Sequence, residues 1–592
     1  MRLVLSITAF CLAFVFLGAG VVQRTIFLQP GSITQAISGA TDALYTVISP
    51  EVLGKNPGIP TVTARGSGAT VVAYGRTDDV LAWIGAAPYN AVTLRDGAVT
   101  SETVTPEQPA ESVNPQPLTG SPAGSDLWLA EGVGEGLASV TSALPPGYSA
   151  IVAGDGQSPA PGDVIVAWPI DNATPWVGPL LVLGALLFIA GGALFWLHWK
   201  DHHRAGPRRR GPSALEESAP PRPRVGPAPK RRELGPARGR RTRFRVVAAL
   251  TLPVVLSGCS AEYWPGAPAA ESSATPSPTI SSADGLNTLQ PAVTVPQMER
   301  ILGEIAAFAV SADKALTADR LPERFAGPAL AARAANYAIR AKKADYPAPT
   351  DIPAKPLTIT LPQQTDRAWP RLVMTVTQNE ADSSLPPVAL VMLQNSPRDN
   401  YHVYYAITLV PNAQSPELAP ANVGAPRVAP DSKLTKIEPA QLAGAYSSIL
   451  NADTASEFAD VFQVDGDTLR QQLGVAGQAA IRSQLPANSA IAFGANPGNG
   501  PVLALATNDA GAIVAVQVDQ LRRITPTDGG VVGFAEGSPS ALLSGFAAKS
   551  PRGVQSVSGL QLLVYVPAVD SQEPIRILGW TESLIAAGEI PG

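Results

Sequence analysis

Residues 176–197 are WVGPLLVLGALLFIAGGALFWL, an apolar run without a charged side chain and with tryptophan at both ends. A helix of this length matches a hydrocarbon core of about 30 Å, and tryptophan prefers the level of the lipid headgroups. Lys200, Arg204 and Arg208 follow directly, and such basic flanks stay on the cytoplasmic side. The sequence therefore predicts a transmembrane helix over residues 176–198 whose C-terminal end is cytoplasmic.

A second charge-free run, LVLSITAFCLAFVFLGAGVV, covers residues 3–22. It is longer than the apolar segment of about 7 to 15 residues in a cleaved signal peptide, which favours an uncleaved transmembrane anchor over residues 1–23. Residues 24–175 then lie outside the cell, and residues 199–245 form a basic cytoplasmic loop. We expect a plasma-membrane protein whose folded parts are extracytoplasmic.

The basic residues are concentrated in one short block. Of the 43 Lys and Arg residues, 15 lie in residues 200–245 with only four acids, although the net charge of the chain is -5. A nucleic-acid binder would carry its positive charge on a folded face, whereas a solvated loop beside an anionic leaflet suits this block. We expect no nucleic-acid partner. The length of 592 residues and the 58 prolines predict several domains joined by Pro-rich linkers.

A third apolar run, VVAALTLPVVLSG, covers residues 246–258 and is short for a membrane helix. Four arginines precede it, as in the positive region of a secretory signal. Residues 246–259 are therefore predicted to be a lipoprotein-type signal, and the alternative is a short third membrane segment. Both interpretations put the following chain outside the cell.

The end of this run resembles the bacterial lipobox, which has an apolar residue, two small residues and then a cysteine. Here the four residues are Leu256, Ser257, Gly258 and Cys259. The resemblance implies that the Cys259 thiol forms a thioether with diacylglycerol, so the membrane is a partner through two helices and this lipid anchor. The sequence pattern leaves open whether the chain is cleaved before Cys259.

Between the first two spans the sequence predicts an all-β sandwich domain in residues 24–175. Short alternating or apolar runs, among them DVLAWIG at 79–85 and SDLWLAEG at 125–132, are separated by turn-forming Gly, Pro, Asn and Asp. Helical spacing is almost absent from this region. We expect each of these runs to form a strand.

The region after Cys259 begins with a Ser/Thr/Pro-rich linker over residues 260–290. Helical spacing followed by a series of strands then occurs twice, which predicts two tandem α+β domains in residues 291–430 and 431–592. Helices on one face of a curved antiparallel sheet are similar to the NTF2-like (cystatin-like) cone, and the layout resembles uncharacterised actinobacterial envelope lipoproteins. The fold class expected is a multidomain membrane-anchored protein with an all-β ectodomain and two NTF2-like domains.

The sequence offers no catalytic residue set, no metal ligand set and no cofactor motif. It has four histidines, of which His198, His202 and His203 lie at the membrane edge. Asp465 and Asp467 have the spacing of a metal-binding Asp-x-Asp pair, but they precede a predicted helix, where aspartate is a favoured cap. We interpret the pair as a cap.

Four residues of one aromatic strand, Tyr401, His402, Tyr404 and Tyr405, are candidates for lining a pocket that takes an apolar small molecule. A filled core would contain the same residues. The function expected is non-enzymatic binding or scaffolding in the bacterial cell envelope, with envelope proteins as further partners. The alternatives are an envelope enzyme acting on a glycan or lipid, and an accessory subunit of a transport or secretion system.

Overall fold

The structure is a computed structural model that describes residues 1–26, 30–38, 42–106, 118–170, 176–203, 289–365, 368–411, 414–485, 488–527 and 529–592. The chain is a multidomain α+β protein with several sheets, and it divides into two compact units. One unit contains Met1–Ile33 and Pro169–Asp284, and the other contains Thr34–Trp168 and Gly285–Gly592. The predicted lipobox with Cys259, and nearly all of the predicted cytoplasmic loop and linker, lie outside the described residues.

The helices are α1 (Arg2–Thr25), α2 (Pro50–Leu53), α3 (Thr77–Ile84), α4 (Val177–His203), α5 (Val295–Ala315), α6 (Gly327–Arg340), α7 (Leu442–Ala452), α8 (Thr468–Leu473), α9 (Val475–Arg482) and α10 (Pro539–Ser544). Three short 3-10 helices are Ala318–Glu323, Pro439–Gln441 and Asp453–Ala455.

The strands of the first sheet are β1 (Ser32–Ser38), β2 (Tyr45–Ile48), β3 (Thr61–Arg76), β4 (Tyr89–Arg95), β5 (Ala98–Val104), β6 (Ala130–Thr141), β7 (Tyr148–Ala153) and β8 (Asp163–Pro169). Those of the C-terminal region are β9 (Gln290–Pro291), β10 (Leu357–Pro362), β11 (Gln364–Thr365), β12 (Arg371–Thr377), β13 (Val388–Gln394), β14 (His402–Thr408), β15 (Ser489–Pro497), β16 (Leu503–Ala506), β17 (Ala512–Pro526), β18 (Val554–Val566) and β19 (Arg576–Glu589).

Helices α1 and α4 are both long and apolar enough to cross a membrane. The start of α1 packs against the end of α4, so the two helices are antiparallel. The Ser6 hydroxyl donates to the Gly191 carbonyl over 2.9 Å, and a Cβ atom at Gly184 would lie 2.7 Å from Cγ of Leu17. Small residues at the crossing thus let the two helices approach closely.

Strands β1 to β8 form one sheet in the order β1-β8-β3-β7-β2-β4-β5, and β6 pairs with β3 beside this path. The long strand β3 pairs antiparallel with β6, β7 and β8, whereas β2 and β4 are parallel. Two apolar clusters belong to this sheet. One includes Val62 and Trp168, and the other packs Trp83 and Trp128 against Ile151. We call residues 34–168 the β domain.

The strand predicted for DVLAWIG is wrong, because helix α3 covers these residues. Asp78 and Asp79 lie in the first turn of the helix, where its dipole favours carboxylates. The residues that it buries are spaced as one helical face: Asp79, Val80, Trp83 and Ile84. Only the end of SDLWLAEG is a strand, since β6 begins at Ala130. A short apolar run fits the helical and the strand periodicity equally well. The buried side chains of the folded chain show that this run is a helix.

The helices-then-strands order predicted for the C-terminal region is present in both halves. In the first half, α5 and α6 precede the sheet β10-β12-β13-β14. Thr294 begins α5 with a capping box formed with Gln297. The core of this half packs one face of α5 on one face of the sheet and includes Met298, Ile301 and Leu390.

In the second half, α7, α8 and α9 precede the sheet β15-β17-β18-β19, with β16 paired to β17. Its core joins Tyr446 and Leu450 of α7 to Val514, Leu560 and Leu562 of the sheet. The remaining faces of the two sheets pack on each other in a third apolar cluster that includes Val391, Leu505 and Leu563.

The C-terminal region therefore has four layers, with helices outside and two sheets inside. Because β12 and β13 are covered on both faces, every residue of RLVMTVT and VALVMLQ is buried, and β13 is a nearly continuous apolar run. The sheets also meet at one edge, where the Val410 amide donates to the Leu578 carbonyl over 3.0 Å.

Candidate binding site

A cavity of about 430 Å³ lies between the two halves of the C-terminal region. Helix α6 of the first half and the loop after it form one wall. Helix α10 and the distal parts of β17, β18 and β19 form the other. Small-molecule sites typically measure about 300 to 1,000 Å³, so this cavity has the size of a ligand site.

The length and composition of the three strands create the polar side of the cavity. Strands β17, β18 and β19 have 15, 13 and 14 residues and extend past the apolar contact between the sheets. Strand β18 is VQSVSGLQLLVYV, with hydroxyl side chains in its first part and apolar ones in its second. Four hydroxyl groups from β18 and β19 line the cavity: Ser556, Ser558, Thr581 and Ser583.

Helix α6 contributes Arg333 and Asn336, which lie three residues apart and so share one helical face. Arg333 is fixed, because it forms an ion pair with Asp313 and donates to the Thr350 carbonyl over 2.7 Å. The Asn336 amide nitrogen donates to the Pro347 carbonyl over 2.9 Å. Its oxygen Oδ1 is buried and has no hydrogen-bond partner within the described part of the chain.

Strand β17 contributes Arg522, whose Nη2 donates to Gln520 over 3.3 Å and lies 3.4 Å from a Glu582 oxygen. Its Nε is buried and has no partner in the described ranges. On β18, Gln561 accepts a hydrogen bond of 2.9 Å from the Ala406 amide of β14, which ties the two halves together beside the cavity. Asn336, with its unpaired acceptor, and Arg522, with its unpaired donor, are thus residues of the same cavity lining.

The charges in the lining are balanced. Arg333 is paired with Asp313, and Arg522 is close to Glu582. Burial raises the pKa of Tyr346, and the nearby Glu582 carboxylate raises it further, so the phenol stays protonated and is a donor at neutral pH. These features favour an uncharged polar ligand.

An apolar cavity of about 70 Å³ also lies between the two sheets, and residues such as Met374 and Leu563 line it. It is far smaller than an ordinary ligand site. The polar cavity is therefore the better candidate for binding.

Asp467 of the Asp-x-Asp pair caps a helix, in agreement with the sequence interpretation. Asp467 accepts a hydrogen bond of 2.9 Å from the Arg470 amide at the start of α8, and the Tyr446 hydroxyl donates to it over 2.8 Å. Burial raises the pKa of Asp467. Among the residues that the structure describes, no group of three or more His, Cys, Asp or Glu side chains is placed to hold a metal ion.

The four candidate pocket residues do not surround one cavity described above. A register shift between β13 and β14 falls next to Tyr404, so Tyr401 packs in the core of the first half while Tyr405 packs between the sheets. The Tyr405 hydroxyl donates to the Pro501 carbonyl over 2.6 Å, and His402 Nε2 lies 3.0 Å from the Pro322 carbonyl. The sequence did not lead us to predict three features of the site: Asn336, Arg522 and the hydroxyl groups of β18. The change from hydroxyl to apolar residues along β18 is nevertheless visible in the sequence.

Residues 289–589 match the family described as "Domain of unknown function (DUF8094)". The matched region contains both halves and the whole cavity, but not the β domain. Searches of the curated proteins and of the solved structures gave no match. Because the match covers half of its length, the chain belongs to the DUF8094 family.

Proposed function

We propose that the chain is a membrane-anchored extracytoplasmic binding protein of the bacterial cell envelope, and that its polar cavity takes an uncharged, hydroxyl-rich ligand of the saccharide class. One observation carries the proposal. Asn336 and Arg522 line one cavity of ligand size, and each holds a buried polar atom, the acceptor Oδ1 and the donor Nε, that has no partner among the described residues.

A ligand with several hydroxyl groups suits these two residues, because each hydroxyl donates and accepts at once. An unpaired buried polar atom costs about 1–3 kcal/mol, and a ligand that satisfies both atoms recovers that free energy on binding. The serine and threonine hydroxyls of β18 and β19 rotate freely to match further ligand hydroxyls. A charged ligand is less suited, since Arg333 already has an acid partner and Arg522 lies near Glu582.

Calorimetric titration of the purified full-length chain in detergent tests the ligand class, with maltose, cellobiose and myo-inositol as probes. We expect at least one probe to bind and Asn336→Leu to weaken that binding at least 10-fold. Asn496→Leu is the matched control, because Asn496 is exposed on β15 and outside the cavity. Absence of binding to all three probes, or equal affinity in Asn336→Leu, would overturn the proposal.

The membrane arrangement is part of the proposal. Antiparallel packing of α1 and α4 supports a hairpin with the start of α1 and the end of α4 on one side, and the basic block after α4 favours the cytoplasm for that side. The β domain is then extracytoplasmic, and the proposed signal or third membrane segment in residues 246–259 returns the DUF8094 region to the same side. Digestion of intact cells with an added protease tests this, and protection of both regions would contradict it.

We propose a diacylglyceryl group on Cys259 as the second anchor, because the lipobox-like residues 256–259 end at this cysteine. The two acyl chains of such a group hold a protein on a membrane more stably than one chain does. Metabolic labelling with radioactive palmitate tests the modification. We expect the C-terminal fragment to be labelled and Cys259→Ala to lose the label. Undiminished labelling of the variant would remove the lipid anchor from the proposal.

We also infer that each half of the C-terminal region is an NTF2-like cone, that the β domain is a sandwich, and that the chain comes from the actinobacterial envelope lipoproteins it resembles. Helices on one face of an antiparallel sheet support the first inference. So do the register shifts between β10 and β12 and between β18 and β19, since bulges increase sheet curvature.

A further inference from the structure

The β domain is joined to the first half of the C-terminal region by charged and polar side chains. The apolar clusters of the described residues are separate on the two sides: two belong to the β domain and three to residues 289–592. Trp369 is the side chain of the C-terminal region that packs against a β-domain cluster. Each side thus has its own core, as expected of two bodies that fold first and then dock.

Asp79 of α3 is the centre of the first ionic contact. Arg371 Nη2 lies 2.6 Å from one Asp79 oxygen, and Arg76 Nε lies 2.9 Å from the other. The two remaining Arg76 nitrogens donate across the interface to the carbonyls of Pro291 and Ala292 over 2.8 and 2.9 Å. One buried acid and two arginines therefore connect α3 to the beginning of the DUF8094 region and to β12.

Asp126 forms the second ionic contact and is fully buried. Arg324 Nη1 donates to its carboxylate over 2.6 Å, and the Tyr401 amide donates to the same oxygen over 2.7 Å. The Asn400 side chain bridges the Asp126 amide and the Gly124 carbonyl over 3.0 and 3.1 Å. The C-terminal region thus binds both the backbone and the side chain of this β-domain turn.

Arg398 makes the third contact, in which its guanidinium lies over an aromatic ring of the β domain. Its guanidinium lies 4.3 Å from the centre of the Trp83 ring, and it donates to the carbonyls of Trp83 and Thr119 over 2.8 and 2.6 Å. Arginine and tryptophan are enriched among the residues that dominate binding at protein interfaces.

The two ion pairs that cross the junction have the same polarity, with the acid on the β domain and the arginine on the C-terminal region. The β domain contributes the acids Asp79 and Asp126, and the C-terminal region contributes Arg324, Arg371 and Arg398. Such complementarity selects one partner and one orientation. The family match begins at residue 289, so the β domain also lies outside the region shared by the family.

We infer that residues 34–168 and 289–592 are two partners of a specific complex that does not require a continuous chain, and that they stay bound when the chain between them is cut. If the chain is cleaved before Cys259, a step that the sequence leaves open, the two-helix part would then hold the part that carries the lipid anchor of the proposed function. The complex itself rests only on the contacts above.

The test uses the full-length chain with a recognition sequence for a site-specific protease inserted between residues 275 and 276 and an affinity tag at the N-terminus. After purification in detergent and complete cleavage, we expect the C-terminal fragment to remain on the affinity resin with the N-terminal fragment. Release of a folded C-terminal fragment from the cleaved wild-type sequence would overturn the inference.

Charge reversal supplies the specificity control. Asp79→Lys combined with Asp126→Lys should weaken retention at least about 100-fold, because each change places like charges together in a buried contact. Glu102→Lys is the matched reversal at an exposed β-domain acid outside the junction and should leave retention unchanged. Should the double variant fail to fold, Asp79→Arg combined with Arg371→Asp restores the pair and should be retained. Equal retention of the folded double variant and the wild type would contradict the assignment of these contacts.

Discussion

Arg371 Nη2 donates to Asp79 Oδ1 over 2.6 Å although 292 residues separate the two in the chain, and their side chains are only 2 % and 3 % exposed. The Arg371 guanidinium also lies 3.9 Å from the centre of the Trp369 ring. A buried guanidinium held by one carboxylate and one aromatic face is sensitive to loss of either partner, because an unpaired charge remains in the interior.

Removing only the acid of this pair should destabilise the protein strongly. Asp79→Leu leaves Arg371 without its acceptor, and we expect a loss of about 3–5 kcal/mol in the free energy of unfolding. The double change Asp79→Leu with Arg371→Leu should cost less than the single change, since the fully buried Arg371 charge is no longer left without its acid. Denaturant unfolding of the full-length chain measures both, and additive losses would show that the pair is not coupled.

Asp509 should stabilise the hairpin between β16 and β17 in a pH-dependent way. Burial acts to raise the pKa of Asp509, but hydrogen bonds from Thr507, the Tyr565 hydroxyl and the Gly511 amide outweigh burial and lower the pKa below 3.8. A lowered pKa in the folded state means that the carboxylate contributes stability above pH 3.8 and loses it as the pH falls through the folded-state pKa.

Asp509→Asn should therefore cost about 1–2 kcal/mol at pH 7, and the difference from wild type should shrink below pH 3.8. Denaturant unfolding at pH 7 and pH 3 measures it. Asp570→Asn is the control, because Asp570 is exposed and should change little at either pH. A gap of equal size at both pH values would contradict the role of the carboxylate charge.

Local patterns were predictable from the sequence, and contacts between distant segments were not. Met298, Ile301, Leu302 and Ile305 predicted α5 by their spacing alone, and all four are buried. Helix α3 was missed because Val80, Trp83 and Ile84 fit a short buried strand equally well. Asn336 and Arg522 share a cavity only because α6 packs on β17 to β19, and no sequence periodicity predicts that packing. The Asp79–Arg371 contact is missed for the same reason.

Helices α1 and α4 should be close enough for a cross-link. A Cβ atom at Gly191 would lie 3.4 Å from Cβ of Ala9, near the usual distance of about 3.8 Å between the Cβ atoms of a disulfide. In a Cys11→Ser background, Ala9→Cys with Gly191→Cys should form a disulfide in membranes on mild oxidation. Gel mobility of the chain, cut by protease between the helices, measures the yield.

A bulky residue at the helix crossing should prevent that cross-link. Gly184→Ile places side-chain atoms where Leu17 packs, and we expect the disulfide yield to fall at least several-fold. Gly192→Ile is the matched control in the same helix, because a Cβ atom there meets nothing within 4 Å. Equal yields in the two variants would mean that α1 and α4 do not pack through Gly184.

Two arginines on the strands that flank β18 should separate ligand binding from stability. Arg522 of β17 lines the polar cavity and makes only the long contacts to Gln520 and Glu582, so Arg522→Met should lower the free energy of unfolding by less than about 1 kcal/mol. The same change should weaken binding of the saccharide probe at least 10-fold, because the unpaired donor is lost.

Arg576 of β19 lies outside that cavity, pairs with Glu573 over 2.9 Å and covers the Tyr565 ring at 4.5 Å. Arg576→Met should therefore cost about 1–2 kcal/mol of stability and leave saccharide binding unchanged. Parallel calorimetric titration and denaturant unfolding of the two variants decide the matter, and a loss of binding in both or in neither would refute the cavity as the ligand site.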